Sequence, residues 1–326
     1  MPTVAFTDYT FADLNPEAAV LAPLGAELRS AHCKDAASLV PFVRGADAVV
    51  TQFANVNAEV VAAMDRARAI VRYGIGVDNV DLDAARERGI PVCNVPDYCI
   101  DEVADHTLAF ILALTRQVVP NALLIRDGKW GMATPLDGLR TLRHQTVGIV
   151  GFGRIGREVA SRLAPFKCRR LVYDAYVPSD AIAASGCEPV VFDALLRQSD
   201  VVTLHCPSTA QTRKMLNADA FARMKPGALV INLARGDLID TAAIVAALQS
   251  GQVGAAALDV CDPEPIPPDS PLRSLPNVIA ASHIASVSPT SVRILRETVA
   301  RIAAAALCGE LPPNIVNGVS SPRVVP

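Results

Sequence analysis

Three things are scarce in this 326-residue chain: excess charge of one sign, uninterrupted apolar runs, and the paired spacings that hold metals. Lys and Arg number 30 against 33 Asp and Glu, a formal net charge of −3. The basic residues are mostly Arg and are scattered, so no positive field favours nucleic acid or an anionic membrane. The opening residues, MPTVAFTDYT, lack the basic start and apolar stretch of a secretory signal. No segment holds 18 or more apolar residues without a charge, so no spanning helix is expected. None of the eight cysteines forms a CxxC pair, and the five histidines show neither HxH nor HxxxH spacing. No metal site is expected, and reduced, mostly buried thiols are expected instead of disulfides. The expectation is a soluble, cytoplasmic protein.

What is present is an ordered composition: 51% hydrophobic and 19% charged residues. That is far from the signature of disorder. The length exceeds the usual size of one core, which predicts two domains. Short β-branched runs alternate with Ala-rich helical patterns. VAFTD, DAVVTQF, AIVRYG and PVCNV read as strands in the first hundred residues, with helical stretches at 57–65 and 83–89 between them. TVGIVG, RRLVYD, DVVTLHC, ALVINLAR, GAAALDV and NVIAAS follow. Strands that are apolar throughout suit parallel sheets covered on both faces, and the alternation predicts α/β architecture. Two longer helical stretches, 101–119 and 288–307, interrupt the rhythm where the chain would cross between domains. The organisation predicted is a discontinuous first domain, 1–100 with 290–326, interrupted by a second domain at 101–289. Both are read as doubly wound parallel sheets, Rossmann-like or flavodoxin-like.

Gly151-Phe152-Gly153-Arg154-Ile155-Gly156 is a GxGxxG between a strand and a helix. Gly151 permits the turn, Gly153 lets a pyrophosphate approach, and Gly156 lets the helix pack on the strand. The anion would sit on the helix N-terminus. Glycine turns are common, but here the next strand ends in Asp174, 18 residues after Gly156, where an acid bonds ribose hydroxyls. A strand-end carboxylate can also simply cap the next turn. Asp174 would repel a 2′-phosphate, and no Lys or Arg follows it in DAYVPSD, so NAD is expected over NADP.

Three further residues stand at strand ends: Arg235 in VINLARGDLID, Glu264 in ALDVCDPEP and His283 in VIAASHIASVSP. Singly, such residues are usually a solvated cation, a turn acid and a structural histidine. Together they offer a cation for a carboxylate, a histidine that moves a proton, and an acid that orients it and raises its pKa.

The ordered motifs RYGIGVDNVDLDAARERGIPVCNVP, EVADHTLAFILALTR, VGIVGFGRIGREVA, LHCPST, INLARGDLID, ALDV and SHIA span nearly the whole chain. In them the sequence resembles the D-isomer-specific 2-hydroxyacid dehydrogenases, and within that family the C-terminal-binding-protein branch. The resemblance implies that Arg235 pairs with the substrate carboxylate and polarises its carbonyl. It implies His283 as general acid and base and Glu264 as the group holding its imidazole. The turn YGIGVD matches the family's substrate loop, which assigns the backbone N–H groups of Ile75 and Gly76 to the carboxylate and puts the active site in an interdomain cleft. Arg154, Ile155, Asp174, His205, Cys206, Thr212, Ala234 and Asp259 match the family's NAD contacts. The stretch 101–145 matches an element that usually joins a homodimer.

Two features depart from the pattern. Co-repressor members carry Trp three residues after the catalytic His, where this chain has Ser286. The long regulatory C-terminal domains of some phosphoglycerate dehydrogenases are not expected, since the sequence ends 43 residues after His283. Formate dehydrogenases carry Gln at the position of Glu264. The implied activity is NAD-dependent interconversion of a small 2-oxo acid and its D-2-hydroxy acid, with no particular acid indicated. The alternative, from another class, is an NAD(H)-sensing co-regulator that offers a groove to peptide partners. The intact Arg235, Glu264 and His283 set favours the enzyme, although co-repressor relatives keep that set too.

Overall fold

The computed structural model describes residues 1–321 and Arg323, and the chain divides into two compact units, Met1–Tyr98 with Ser288–Pro326, and Cys99–Val287.

The first unit is built on five parallel strands: β1 (Thr3–Phe6), β2 (Glu27–Ser30), β3 (Ala48–Thr51), β4 (Ile70–Arg72) and β5 (Val92–Cys93). Their order is β2-β1-β3-β4-β5. The central strand β3, AVVT, is buried at every residue, as a strand covered on both faces must be. β2, ELRS, is a half-exposed edge and carries no apolar run, so the sequence pattern gave no strand there. The helix Pro289–Leu307 opens on a capping box between Ser288 and Ser291. It buries Leu295, Val299, Ile302 and Ala303 in one cluster with Val4, Phe6, Val50 and Val71. Each fully buried Leu, Ile, Val or Phe contributes about 1.5–3 kcal/mol, so this face alone anchors the helix to the unit. Arg296 of the same helix reaches the fully buried Glu17, with Nε and Nη2 at 2.8 and 2.7 Å from its two oxygens. The Tyr73 hydroxyl donates to Glu17 at 2.8 Å, so the buried carboxylate has three donors. The tail then returns to β5: Ile315 pairs with Cys93, and the Asn317 side chain accepts from Val92 N and donates to the Ile90 carbonyl.

The second unit carries seven parallel strands: β6 (Thr146–Val150), β7 (Arg169–Tyr173), β8 (Glu188–Pro189), β9 (Val201–Leu204), β10 (Ala228–Asn232), β11 (Val253–Leu258) and β12 (Val278–Ala280). The order is β12-β11-β10-β9-β6-β7-β8, which makes β6/β9 the topological switch point. Two parallel α/β sheets agree with the expected fold class. The expected helix at 101–119 ends earlier: it spans Ile100–Thr115, and Gln117 at φ 53° turns the chain into a second helix, Val118–Arg126. A non-glycine residue in the left-handed region is uncommon, so composition gave no warning of the break. Arg162 ties the first of these helices to Arg154–Leu163 through Asp101 and Asp105, at 2.6 and 2.8 Å. Among the described residues no single helix is long and apolar enough to cross a membrane.

Candidate active site

The glycine turn follows β6 at the switch point. Gly151 has φ +95°, and a Cβ there would lie 2.6–2.7 Å from the backbone of His205 and Cys206 after β9. At Gly156 a Cβ would come within 2.1 Å of the Gly151 carbonyl, so helix Arg154–Leu163 packs too closely for any side chain. A Cβ on Gly153 would meet only open space. Nothing in the protein itself demands glycine there, and a bulky anion would fill that space. No side chain caps this helix start, so its first amides are available to the anion. These residues fit a dinucleotide.

Asp174, following β7, accepts Phe152 N at 2.6 Å through one oxygen, and Tyr176 N and Val177 N at 2.8 and 2.9 Å through the other. Burial opposes its ionisation, but these three amides and the nearby Arg157 guanidinium outweigh it and hold the carboxyl below its ordinary range. Asp174 therefore caps the next turn and also stands, ionised, beside the glycine loop. His205 bonds Thr203 Oγ1 through Nε2 at 2.9 Å, and burial pushes its pKa down to about 3, so the ring is neutral. Burial likewise pushes the Cys206 thiol up to about 11. The Thr212 hydroxyl accepts Thr209 N and donates to the Pro207 carbonyl, which closes the turn after β9.

The other half of the sheet carries the polar trio, each member just beyond one of three adjacent strands. Arg235 follows β10. Buried Asn232 organises that turn, accepting Ala234 N at 3.0 Å and donating to the Arg235 carbonyl at 2.7 Å. Gly236 lies against the segment after β11; a Cβ there would stand 2.0 Å from the Cys261 carbonyl. That segment carries Glu264, and β12 leads to His283. Glu264 Oε1 and His283 Nδ1 are 2.7 Å apart, a strong, directional contact between partly exposed groups.

His283 has φ 59°, which is costly for a residue with a side chain, and Asp259 holds it there. The Asp259 carbonyl accepts His283 N at 2.8 Å, and its carboxylate accepts Ile284 N and Ala285 N, each at 2.9 Å. Asp259 is 2% exposed, and these bonds occupy both carboxylate oxygens. The resemblance implies a cofactor contact for Asp259; its support of the His283 turn is not visible in the sequence, nor is the role of Asn232.

Ile75 and Gly76 lie in the first unit, beyond β4. Among the described residues no group of three or more His, Cys, Asp or Glu could hold a metal ion.

Comparison with known proteins adds the following. Residues 108–285 match the family model for the D-isomer specific 2-hydroxyacid dehydrogenase, NAD binding domain. The chain is 39% identical over 282 residues to a glyoxylate reductase of Korarchaeum cryptofilum, covering 86% of this chain and 85% of that one. It is 38% identical over 304 residues to a D-3-phosphoglycerate dehydrogenase of Mycobacterium leprae, covering 92% of this chain but only 57% of that one. Its fold matches a D-lactate dehydrogenase from Aquifex aeolicus, solved with NAD and lactic acid, at a TM-score of 0.87 and 29% identity, covering 97% of this chain and 100% of that one. These matches speak at the level of the family and do not single out the C-terminal-binding-protein branch.

Proposed function

We propose, for a chain that belongs to the D-isomer specific 2-hydroxyacid dehydrogenase family and is an NAD-dependent oxidoreductase, that it interconverts a small 2-oxo acid and its D-2-hydroxy acid through Arg235, Glu264 and His283. The observation that carries this reading is the 2.7 Å contact between Glu264 and His283 Nδ1. A contact at Nδ1 orients the imidazole and supports Nε2 as the atom that exchanges the proton. When bound, NAD would supply or accept the hydride at the substrate's C2. Arg235 pairs with the carboxylate and draws charge from the C2 carbonyl, while protonated His283 gives its Nε2 proton to the oxygen as that oxygen becomes an alkoxide. In the reverse direction neutral His283 takes the hydroxyl proton. The backbone N–H groups of Ile75 and Gly76 are further donors to the carboxylate. Arg154 and Ile155 would meet the pyrophosphate, and Asp174 the ribose. His205, Cys206, Thr212, Ala234 and Asp259 would make the remaining contacts to the cofactor.

NADH oxidation with glyoxylate, hydroxypyruvate, pyruvate, phenylpyruvate and phosphohydroxypyruvate tests this. Turnover of at least one is expected; NADH binding without turnover of any would overturn the reading.

The working form proposed is a homodimer joined through the segment after residue 100. Helix Val118–Arg126 buries none of its residues, and Val118, Leu123, Ile125 and Trp130 are 54%, 51%, 50% and 95% exposed. So much clustered apolar surface calls for a partner. Light scattering should give twice the 34.4 kDa chain mass at micromolar concentration, and a monomer mass would refute it. Eight free thiols suit the reducing cytoplasm as its compartment.

A further inference from the structure

Residues 73–76 join β4 to the segment Val77–Asn79. Gly74 has φ +143°, and the Arg72 guanidinium lies where its side chain would be, 1.5 Å from an added Cβ. Two consecutive carbonyls of this loop are then taken by the end of β5. The Gly74 carbonyl accepts Val95 N at 2.9 Å, and the Ile75 carbonyl accepts Asn94 Nδ2 at 2.6 Å. Asn94 is only 8% exposed, and its own N–H donates to the Asn314 carbonyl of the returning tail at 3.3 Å.

The Ile75 carbonyl and the Gly76 N–H belong to one peptide unit, which is trans. In a planar trans unit the two groups point in opposite directions, so holding the oxygen fixes the direction of the N–H. A hydrogen bond to the oxygen also polarises the N–H and makes it a better donor. We infer that Asn94 is a positioning residue for the substrate carboxylate: by holding the Ile75 oxygen it aims the Gly76 N–H. The inference rests on the reading that Ile75 and Gly76 bind that carboxylate. Gly76 cannot aim itself, because a glycine's backbone is the freest of any residue. The tail adds a second layer, since Asn314 and Asn317 both hold the β5 end from which Asn94 projects.

The test uses the full-length chain with NADH and the panel member that the wild type reduces best. Asn94→Ala should raise KM for the 2-oxo acid about tenfold, the usual effect of one lost hydrogen bond to a binding group, with kcat within about threefold of wild type. The dissociation constant for NADH should not move. Inhibition by oxalate, a carboxylate probe that is not reduced, should weaken in parallel with the KM. Asn94→Asp, of the same shape but with no donor, should behave like Asn94→Ala. Asn94→Ser, whose hydroxyl is too short to reach the Ile75 oxygen, replaces either variant that does not fold. An unchanged KM in a folded variant overturns the inference, as does a matching loss of NADH affinity, which marks a general structural defect. A wild type that reduces no 2-oxo acid removes the carboxylate reading and the inference with it. An active wild type with an unchanged Asn94→Ala KM removes the inference alone.

Discussion

Asp259 holds the turn on which His283 stands, accepting His283 N through its carbonyl and the next two amides through its carboxylate. The left-handed backbone at His283 persists because these three bonds over-determine it. Asp259→Ala removes two of them and leaves two inward-facing amides unpaired, at about 1–3 kcal/mol each. The imidazole should then lose its alignment with Glu264. The expected result is a folded enzyme with kcat reduced about 100-fold, a magnitude typical of misplaced reacting groups. Rates near wild type in a folded Asp259→Ala would show that Glu264 alone orients the ring.

His205 makes acid stability a property of the second unit. Its folded pKa, about 3, lies below the unfolded value of about 6.5. Between those values the unfolded chain binds the proton and the folded chain does not. The contribution is therefore fully present above about pH 6.5 and is lost as pH falls toward 3. At pH 5 the loss amounts to about 2 kcal/mol. Denaturant melts at pH 7 and pH 5 should show it, and His205→Asn should flatten the difference. Equal pH slopes in the two proteins would rule out His205 as the source.

Asp174 is expected to set cofactor choice. Its carboxylate is ionised and faces the glycine loop, so a 2′-phosphate placed beside it meets like charge. A clash of about 1.4 kcal/mol already gives a tenfold preference for NADH over NADPH in kcat/KM. Arg157, which stacks on the Phe152 ring at 4.6 Å, is the cation that would remain once the acid is gone. Asp174→Ala should narrow the preference to within about threefold. Equal efficiency of the two cofactors with the wild-type chain would defeat the argument.

The parts legible in the sequence are those written in local patterns. Buried strands such as AVVT, and TVGIV after its half-buried Thr146, announce themselves as apolar runs, and the glycine turn declares itself because Gly151 and Gly156 each exclude a Cβ for a steric reason. The polar edge β2 and the two-residue β8 carry no such run, and the break at Gln117 depends on one backbone angle that no composition encodes. The supporting residues were hidden for another reason. Asn94 and Asp259 act through hydrogen bonds to the main chain of other segments, and such pairings exist only once the strands are side by side, whereas Asn232 bonds only within its own turn, to Ala234 N and the Arg235 carbonyl.

The proton-handling unit gives the most demanding prediction. Reduction leaves an alkoxide that needs a proton, and oxidation needs a base to remove one, so the same His283 must be charged in one direction and neutral in the other. Reduction should therefore fall, and oxidation rise, across a single pH range. A steady-state assay run in both directions over a series of pH values checks this. Glu264 Oε1 lies 2.7 Å from His283 Nδ1, so removing either group dismantles one device. His283→Ala should lower kcat at least 100-fold, as the loss of a positioned acid does, while NADH still binds. Glu264→Ala should cost much of the same factor, and the double variant little more than His283→Ala, because residues that act as a unit are not additive. Multiplicative losses in the double variant would mean that Glu264 works apart from the histidine. Wild-type turnover in a folded His283→Ala would make it a structural residue and leave proton transfer to another group.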